Sequence, residues 1–229
     1  MNYILNIHTT SEKAIVNITN EARVLSTATN EEQKDHASFL HIAINKILQE
    51  NDIAISHLKA VGVTGGPGSY TGIRVGLATA KGLCFALKIP MMMFNSLELM
   101  AFSAINNYPE VEPDSLFCPM IDARRMEVFT AVYDKNLNEV NAPTALVLNE
   151  NSFDKWILNK SFYYFGNGAE KFKELVETRS KNLNYILSDV SSELLANYSW
   201  NKFKNKSFDN IIRAQALYVK EFYTTAKTC

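Results

Sequence analysis

A chain of 229 residues is long for one domain and short for two, so two small lobes are the expected organisation. With 47% hydrophobic residues it can bury cores, and a net charge of −1 excludes a self-sufficient nucleic-acid surface. Cys84, Cys118 and Cys229 are odd in number and lack metal-ligand spacing, which fits reduced thiols in a cytoplasm. Met1–Leu5 has no basic leader and no apolar run is long enough for a membrane span. A cytoplasmic protein without a membrane segment is therefore expected.

In chain order, Tyr3 to Ile7 reads as a strand whose tip is His8-Thr9-Thr10-Ser11. Lys13 to Thr19 and Ala22 to Thr27 follow as two more strands, with Asn20-Glu21 suited to a tight hairpin turn. Asp35 to Glu50 is a helix with Asp35 as its N-cap. Its apolar residues Phe39, Leu40, Ala43, Ile44, Ile47 and Leu48 cover roughly 180° of the wheel, wider than an ordinary surface stripe, and Ile42 lies beyond that arc. The other histidines, His36, His41 and His57, lack ligand spacing and read as structural or surface groups.

Ala60 to Thr64 is a buried strand, ended by Gly65 and Gly66, and a long helix begins at about Thr71. Between them, Gly66-Pro67-Gly68 can continue neither element, and Ser69 and Thr71 both suit an N-cap. A glycine loop feeding a helix N-terminus is a potential anion cradle. Three familiar versions of such a loop fail here. A P-loop needs Gly-Lys-Ser/Thr, but this loop ends Tyr70-Thr71-Gly72-Ile73. A dinucleotide fingerprint needs glycine where Thr71 stands, and the strand Met91 to Phe94 ends in Asn95 instead of an acid. A nucleophile elbow needs glycines two residues either side of the serine, which Ser69 lacks, so a hydrolytic role for Ser69 is remote.

The glycine-loop helix carries only three charges, Arg74, Lys81 and Lys88, which recur every seven residues along one line. The rest is small or apolar, and Gly76 and Gly82 in its interior cost roughly 2 kcal/mol together relative to alanine. A helix apolar nearly all round should be buried nearly all round, whereas one sheet covers one face. With the first helix it is expected to present a patch to another protein, through Phe39, Ile42, Gly76, Ala78, Thr79, Ala80, Gly82 and Leu83. The alternative is that both helices are buried between the protein's own lobes. A helix from Ser96 completes the first lobe.

Pro109 and Pro113 mark the boundary, giving lobes 1–108 and 109–229. Leu116 to Ile121 and Glu127 to Tyr133 are strands. Asp122, Arg124 and Arg125 between them make either an anion-binding corner or a turn held by local ion pairs. Phe165-Gly166-Asn167-Gly168-Ala169 is a strand-to-helix turn, and Lys202, Lys204 and Lys206 with Phe203 read as a solvated helix end sooner than an RNA contact.

Gly66-Pro67-Gly68-Ser69-Tyr70-Thr71-Gly72-Ile73-Arg74 resembles the GPGSFTGLR signature of the TsaB (YeaZ) family. Ile121 to Val128 is similar to that family's IDARR-EV segment, Phe165 to Ala169 to its GNGA turn, and Ala216 to Lys220 to its closing P-x-Y-L-R. The element pattern alone gives an α/β protein with mixed sheets. The resemblance implies two ribonuclease-H-like lobes of the kind duplicated in actin, Hsp70 and the sugar kinases. It implies an accessory, non-catalytic subunit for N6-threonylcarbamoyladenosine at position 37 of tRNAs reading codons that begin with A. Its partners would be the catalytic paralogue TsaD, docked on the first lobe, and the ATPase TsaE, with tRNA reached only through the complex. No cofactor would be held stably by the isolated chain. ATP or ADP at the heteromeric junction, and a homodimer of the isolated chain, stay open.

The family usually has an aspartate at the first strand's tip, where sugar kinases hold magnesium nucleotide. Here His8 stands in that place, and a neutral imidazole is a poor ligand for Mg²⁺. The rival reading is a self-sufficient phosphotransferase or ATPase of the sugar-kinase type, using Gly66 to Gly72 and Arg74 as its phosphate site.

Overall fold

The computed structural model describes residues 1–31, 36–158, 160–176 and 181–219. The expected N-cap Asp35, the closing Lys220 and Cys229 lie outside the described residues.

The first half of the chain runs β1 (Tyr3–His8), β2 (Ala14–Asn20), β3 (Arg23–Asn30), α1 (His36–Gln49), β4 (Leu58–Thr64), α2 (Tyr70–Leu87), β5 (Met91–Phe94) and α3 (Ser96–Asn107). The second half runs β6 (Leu116–Asp122), β7 (Glu127–Asp134), β8 (Glu139–Val147), α4 (Asp154–Ile157), β9 (Phe162–Phe165), α5 (Ala169–Val176), β10 (Leu183–Tyr185) and α6 (Ser192–Lys204). The first sheet has the order β3-β2-β1-β4-β5, antiparallel through the meander and parallel from β1 through β4 to β5. The second repeats it as β8-β7-β6-β9-β10. The fold is thus two copies of the ribonuclease-H-like unit.

Alternation along the strands sorts side chains onto two faces. In the first sheet Leu5, Ile7, Val16, Ile18, Val61 and Val63 meet α1 and α2, while Ile4, Ile15, Ala60, Met92 and Phe94 meet α3 and α6. Coverage on both faces explains why β2 is buried at every position but its last, whereas edge strand β3 has no buried residue. In the second sheet Cys118, Met120, Val128 and Phe162 pack with α4 and α5. Its other face offers Phe117, Ala131 and Phe165 to α3. Helix α3 therefore lies between the two sheets, and α6 packs beside it on the first.

The break near Pro109 and Pro113 separates the two sheets, but a boundary at 108/109 is too simple. Helix α6 follows the second sheet in sequence and yet covers the first, where Leu195 and Tyr198 join Phe94 and Leu99 in one core. Asn17 Nδ2 on β2 donates to Ser192 O at 3.0 Å, tying the start of α6 to the sheet. Beyond α6, Asp209 adds to the edge of β5, donating its N–H to Met91 O at 2.9 Å and accepting from Met93 N at 2.6 Å. The first lobe is thus closed by α6 and the segment through Asp209, which follow the second sheet in sequence.

Three local expectations shift. Asn20 still pairs with Arg23, so the hairpin turn is Glu21-Ala22, with Glu21 at φ 59°. Strand β4 begins at Leu58 because Leu58 is opposite Tyr3 in the ladder. Of the two N-cap candidates on α2, Ser69 is the cap, accepting from Gly72 N at 3.3 Å, and Thr71 is an exposed first-turn residue.

Candidate functional site

The tip of β4 and the first turn of α2 are seated directly on the β1–β2 turn. Ser69 N donates to Thr10 O at 2.8 Å, and Thr9 Oγ1 donates to Gly72 O at 2.7 Å. A Cβ on Gly68 would lie 2.2 Å from Thr10 O, and one on Gly72 1.8 Å from Thr9 O. Glycine is needed at both because backbone meets backbone there. The same contacts correct the expected anion cradle in part. The amides of Gly65, Ser69 and Gly72 are already bonded, to Phe94 O, Thr10 O and Ser69 Oγ. Pro67 follows a cis peptide bond and is buried, as are Gly65 and Gly66.

A cleft of about 1240 Å³ lies between the lobes, with Ser69, Tyr70 and Thr71 on one wall and Asp122, Arg124 and Asn167 on the other. His8 lines it from the β1 tip, 3% exposed, with its Nε2 2.9 Å from Ser11 Oγ. Ser11 Oγ in turn donates to Lys13 O at 2.7 Å, so the hydroxyl hydrogen points at a carbonyl. Asn167 Nδ2 donates to Glu12 Oε1 at 3.2 Å across the cleft. Among the described residues no group of three or more His, Cys, Asp or Glu is gathered to hold a metal ion.

The Asp122 corner is built differently from either expectation. The carboxylate pairs with Lys171 Nζ at 2.7 Å and accepts from the Arg124 backbone amide. Burial opposes its ionisation, but Lys171 and that amide outweigh burial and hold Asp122 below the usual aspartate range. Arg124 and Arg125 occupy left-handed backbone positions, φ 70° and 50°, at the β6–β7 turn. Nothing in the sequence singles out Lys171, since its link to Asp122 exists only after α5 packs on β6.

The candidate interface residues divide. Gly76 and Ala80 face the core, so they leave the set of partner contacts: a Cβ on Gly76 would stand 2.6 Å from Thr9 Oγ1, and Ala80 is fully buried. Ala78 and Gly82 are directed away from the sheet; Ala78 is only partly covered, and nothing lies within 4 Å of a Cβ placed on Gly82. Thr79, Leu83 and Phe39 lie on the same two helices, with Phe39 and Leu83 packed at the margin of the core. Ile42 on α1 is 70% exposed and Phe85 on α2, not among the expected contacts, is 80% exposed. Both helices lie on the outer face of the first sheet, so they are not enclosed between the lobes. Arg74, expected near an anion, instead donates from Nε to Tyr218 OH at 3.1 Å and lies 3.9 Å over the Tyr70 ring.

A family model described as TsaD, tRNA N6-adenosine threonylcarbamoyltransferase, matches residues 23–220. The tRNA threonylcarbamoyladenosine biosynthesis protein TsaB of Bacillus subtilis (strain 168) is 33% identical over 130 residues, 57% of this chain and 54% of that protein. The protein of the same name from Buchnera aphidicola subsp. Baizongia pistaciae is 25% identical over 172 residues, 70% of this chain and 76% of that one. A crystal structure from Pseudomonas aeruginosa, described as an uncharacterized protein with similarity to peptidase YEAZ, matches with a TM-score of 0.77. It is 24% identical and covers 96% of this chain and 100% of that chain, a likeness of fold. The match to the Bacillus protein spans about half of that protein's length. The chain belongs to the family of the tRNA N6-adenosine threonylcarbamoyltransferase (TsaD) model, among its TsaB (YeaZ) members.

Proposed function

We propose that this protein is an accessory subunit in the formation of N6-threonylcarbamoyladenosine on tRNA, supporting a TsaD-type catalytic paralogue. The observation that carries the reading is the outward strip of α1 and α2. On α2 Phe85 stands 80% exposed on the face that carries the small residues Ala78 and Gly82, and on α1 Ile42 stands 70% exposed, both on helices whose other faces are core. Small residues flanked by large apolar ones let a partner's backbone approach closely while burying side chains at the margin. The names of the Bacillus and Buchnera relatives place those proteins in threonylcarbamoyladenosine biosynthesis. A TsaE-type ATPase would join the pair in the cytoplasm, and tRNA would be bound by the assembly. A nucleotide, ATP or ADP, would belong to the subunit junction.

The test is co-purification with the TsaD-type subunit from the same cells. Gly82→Arg and Phe85→Asp should leave a soluble, folded chain, with Gly82→Arg melting no lower than the parent, yet no longer co-eluting with the partner, and threonylcarbamoyladenosine should fall. Unchanged co-elution of both variants would sink the reading. The cleft favours the phosphotransferase reading as a second choice, because it is large enough for a nucleotide. Magnesium-dependent ATP turnover by the purified chain, abolished by Gly68→Asp, would put that reading first.

A further inference from the structure

The heptad line of charge on α2 has a use that the partner reading does not absorb. After α6 the chain runs back along this helix, from its end toward its start. Lys81 Nζ donates to Ala214 O at 2.6 Å, and two turns earlier Arg74 Nε donates to Tyr218 OH at 3.1 Å. Between those anchors Leu217 N donates to Gly65 O at 2.8 Å, so the segment also grips the glycine loop. A Cβ on Gly66 would lie 2.9 Å from Leu217 O, and Gly66 has φ +109°. Two motifs far apart in sequence, Gly66-Pro67-Gly68 and Ala216-Leu217-Tyr218, thus meet as one joint.

The joint ends in a clasp at the surface. The Tyr70 and Tyr218 rings lie 5.8 Å apart with the Arg74 guanidinium over Tyr70, and the two tyrosines are 40% and 41% exposed. On the helical wheel Arg74 lies within about 40° of Ala78, at about 100° per residue. The C-terminal segment therefore borders one side of the exposed strip.

We propose that Arg74 and Tyr218 are positioning residues: the clasp fixes the C-terminal segment along α2 and so sets the start of that helix, and with it the strip presented to the partner. This rests on the docking reading above. Arg74 acts here through Tyr218 and Tyr70, without touching the partner or an anion. Removing its hydrogen bond to Tyr218 together with its cation–π interaction with Tyr70 should weaken docking about ten-fold.

The experiment uses the full chain with Arg74→Ala, Tyr218→Ala, Tyr218→Phe and the Arg74→Ala/Tyr218→Ala pair. Hydrogen exchange is followed at the Leu217 amide and the first turn of α2, and affinity for the TsaD-type subunit by calorimetry. Expected are faster exchange and affinity about ten-fold weaker for either alanine variant, a smaller effect for Tyr218→Phe, and no further weakening in the pair, because both substitutions open the same clasp. Additive effects would mean that Arg74 touches the partner itself, which overturns the proposal. Unchanged exchange in Tyr218→Ala, or faster exchange with unchanged affinity, overturns it too. If the parent chain fails to bind the TsaD-type subunit, the docking reading falls; the exchange data then still decide whether the clasp orders α2.

Discussion

Two glycines in one helix should respond to the same substitution with opposite sign. Replacing glycine by alanine inside a helix gains about 1 kcal/mol in backbone entropy and propensity. At Gly82 nothing lies within 4 Å of the added Cβ, so Gly82→Ala should keep that gain. For a chain of this length about 1 kcal/mol corresponds to about 2–4 °C, so the melting temperature should rise by that amount. At Gly76 the added Cβ meets Thr9 Oγ1 at 2.6 Å, with Ile7 and Val63 methyls at 3.4 and 3.5 Å. Thr9 cannot yield freely, because Oγ1 holds Gly72 O at 2.7 Å in a buried bond. Displacing it leaves the buried Thr9 hydroxyl without its acceptor, at about 1–3 kcal/mol, and overpacking adds a similar amount. Less the helix gain, Gly76→Ala should cost about 1–5 kcal/mol and melt about 2–20 °C lower. Thermal melts followed by circular dichroism, with the Thr9→Ala/Gly76→Ala pair as a control, measure both. Shifts of the same sign, or a pair that is merely additive, would refute the claim that Thr9 decides the outcome.

Ser69→Ala removes the α2 N-cap and should cost about 1 kcal/mol, a drop of about 2–4 °C in the same melts. Asp122 has a folded pKa held below its ordinary 3.8, burial opposing the shift and Lys171 with the Arg124 amide producing it. Its stabilisation is in place above the ordinary value and disappears as the pH falls through the folded one. Wild type should therefore lose its advantage over Asp122→Asn on the acid limb; a constant difference down that limb would contradict the ion pair's role. Burial pushes the Cys84 thiol up to about 11 and Cys118 to about 12, so neither should be alkylated at neutral pH while the protein is folded. Peptide mapping after a short iodoacetamide pulse checks this, and modification of Cys118 in the folded state would be the contrary result.

The sheets are legible in the sequence because strands covered on both faces must be apolar along their length, as Ala60 to Thr64 is, and because glycine and proline punctuate the ends. The helix start at the glycine loop is legible because an N-cap hydroxyl follows residues that no helix accepts. What long-range packing decides is not. A wheel separates Gly76 from Gly82 but cannot say which faces the sheet; the approach of Thr9 does. Arg74 reads as a surface or anion-binding charge until Tyr218, 144 residues away, is brought beside it. Asp122 has arginines as sequence neighbours, yet left-handed turns at Arg124 and Arg125 leave the carboxylate to Lys171 and a backbone amide. Helix α6 buries Leu195, Ala196 and Tyr198 with Trp200 and Phe203 packed alongside, and nothing local in it names the first sheet as its seat.

The return of α6 to the first sheet has a consequence for how the chain is made. During synthesis β1 through β5 leave the ribosome early, with α1 and α2 available to cover one face. The opposite face, with Ile4, Ala60, Met92 and Phe94, waits for Leu195 and Tyr198. Until α6 has emerged, α3 alone can shelter that apolar surface, and an uncovered sheet of this kind invites association with other nascent chains. Stalling translation between β6 and α6 should thus yield a species bound by chaperones, and ribosomes released past Lys204 should not.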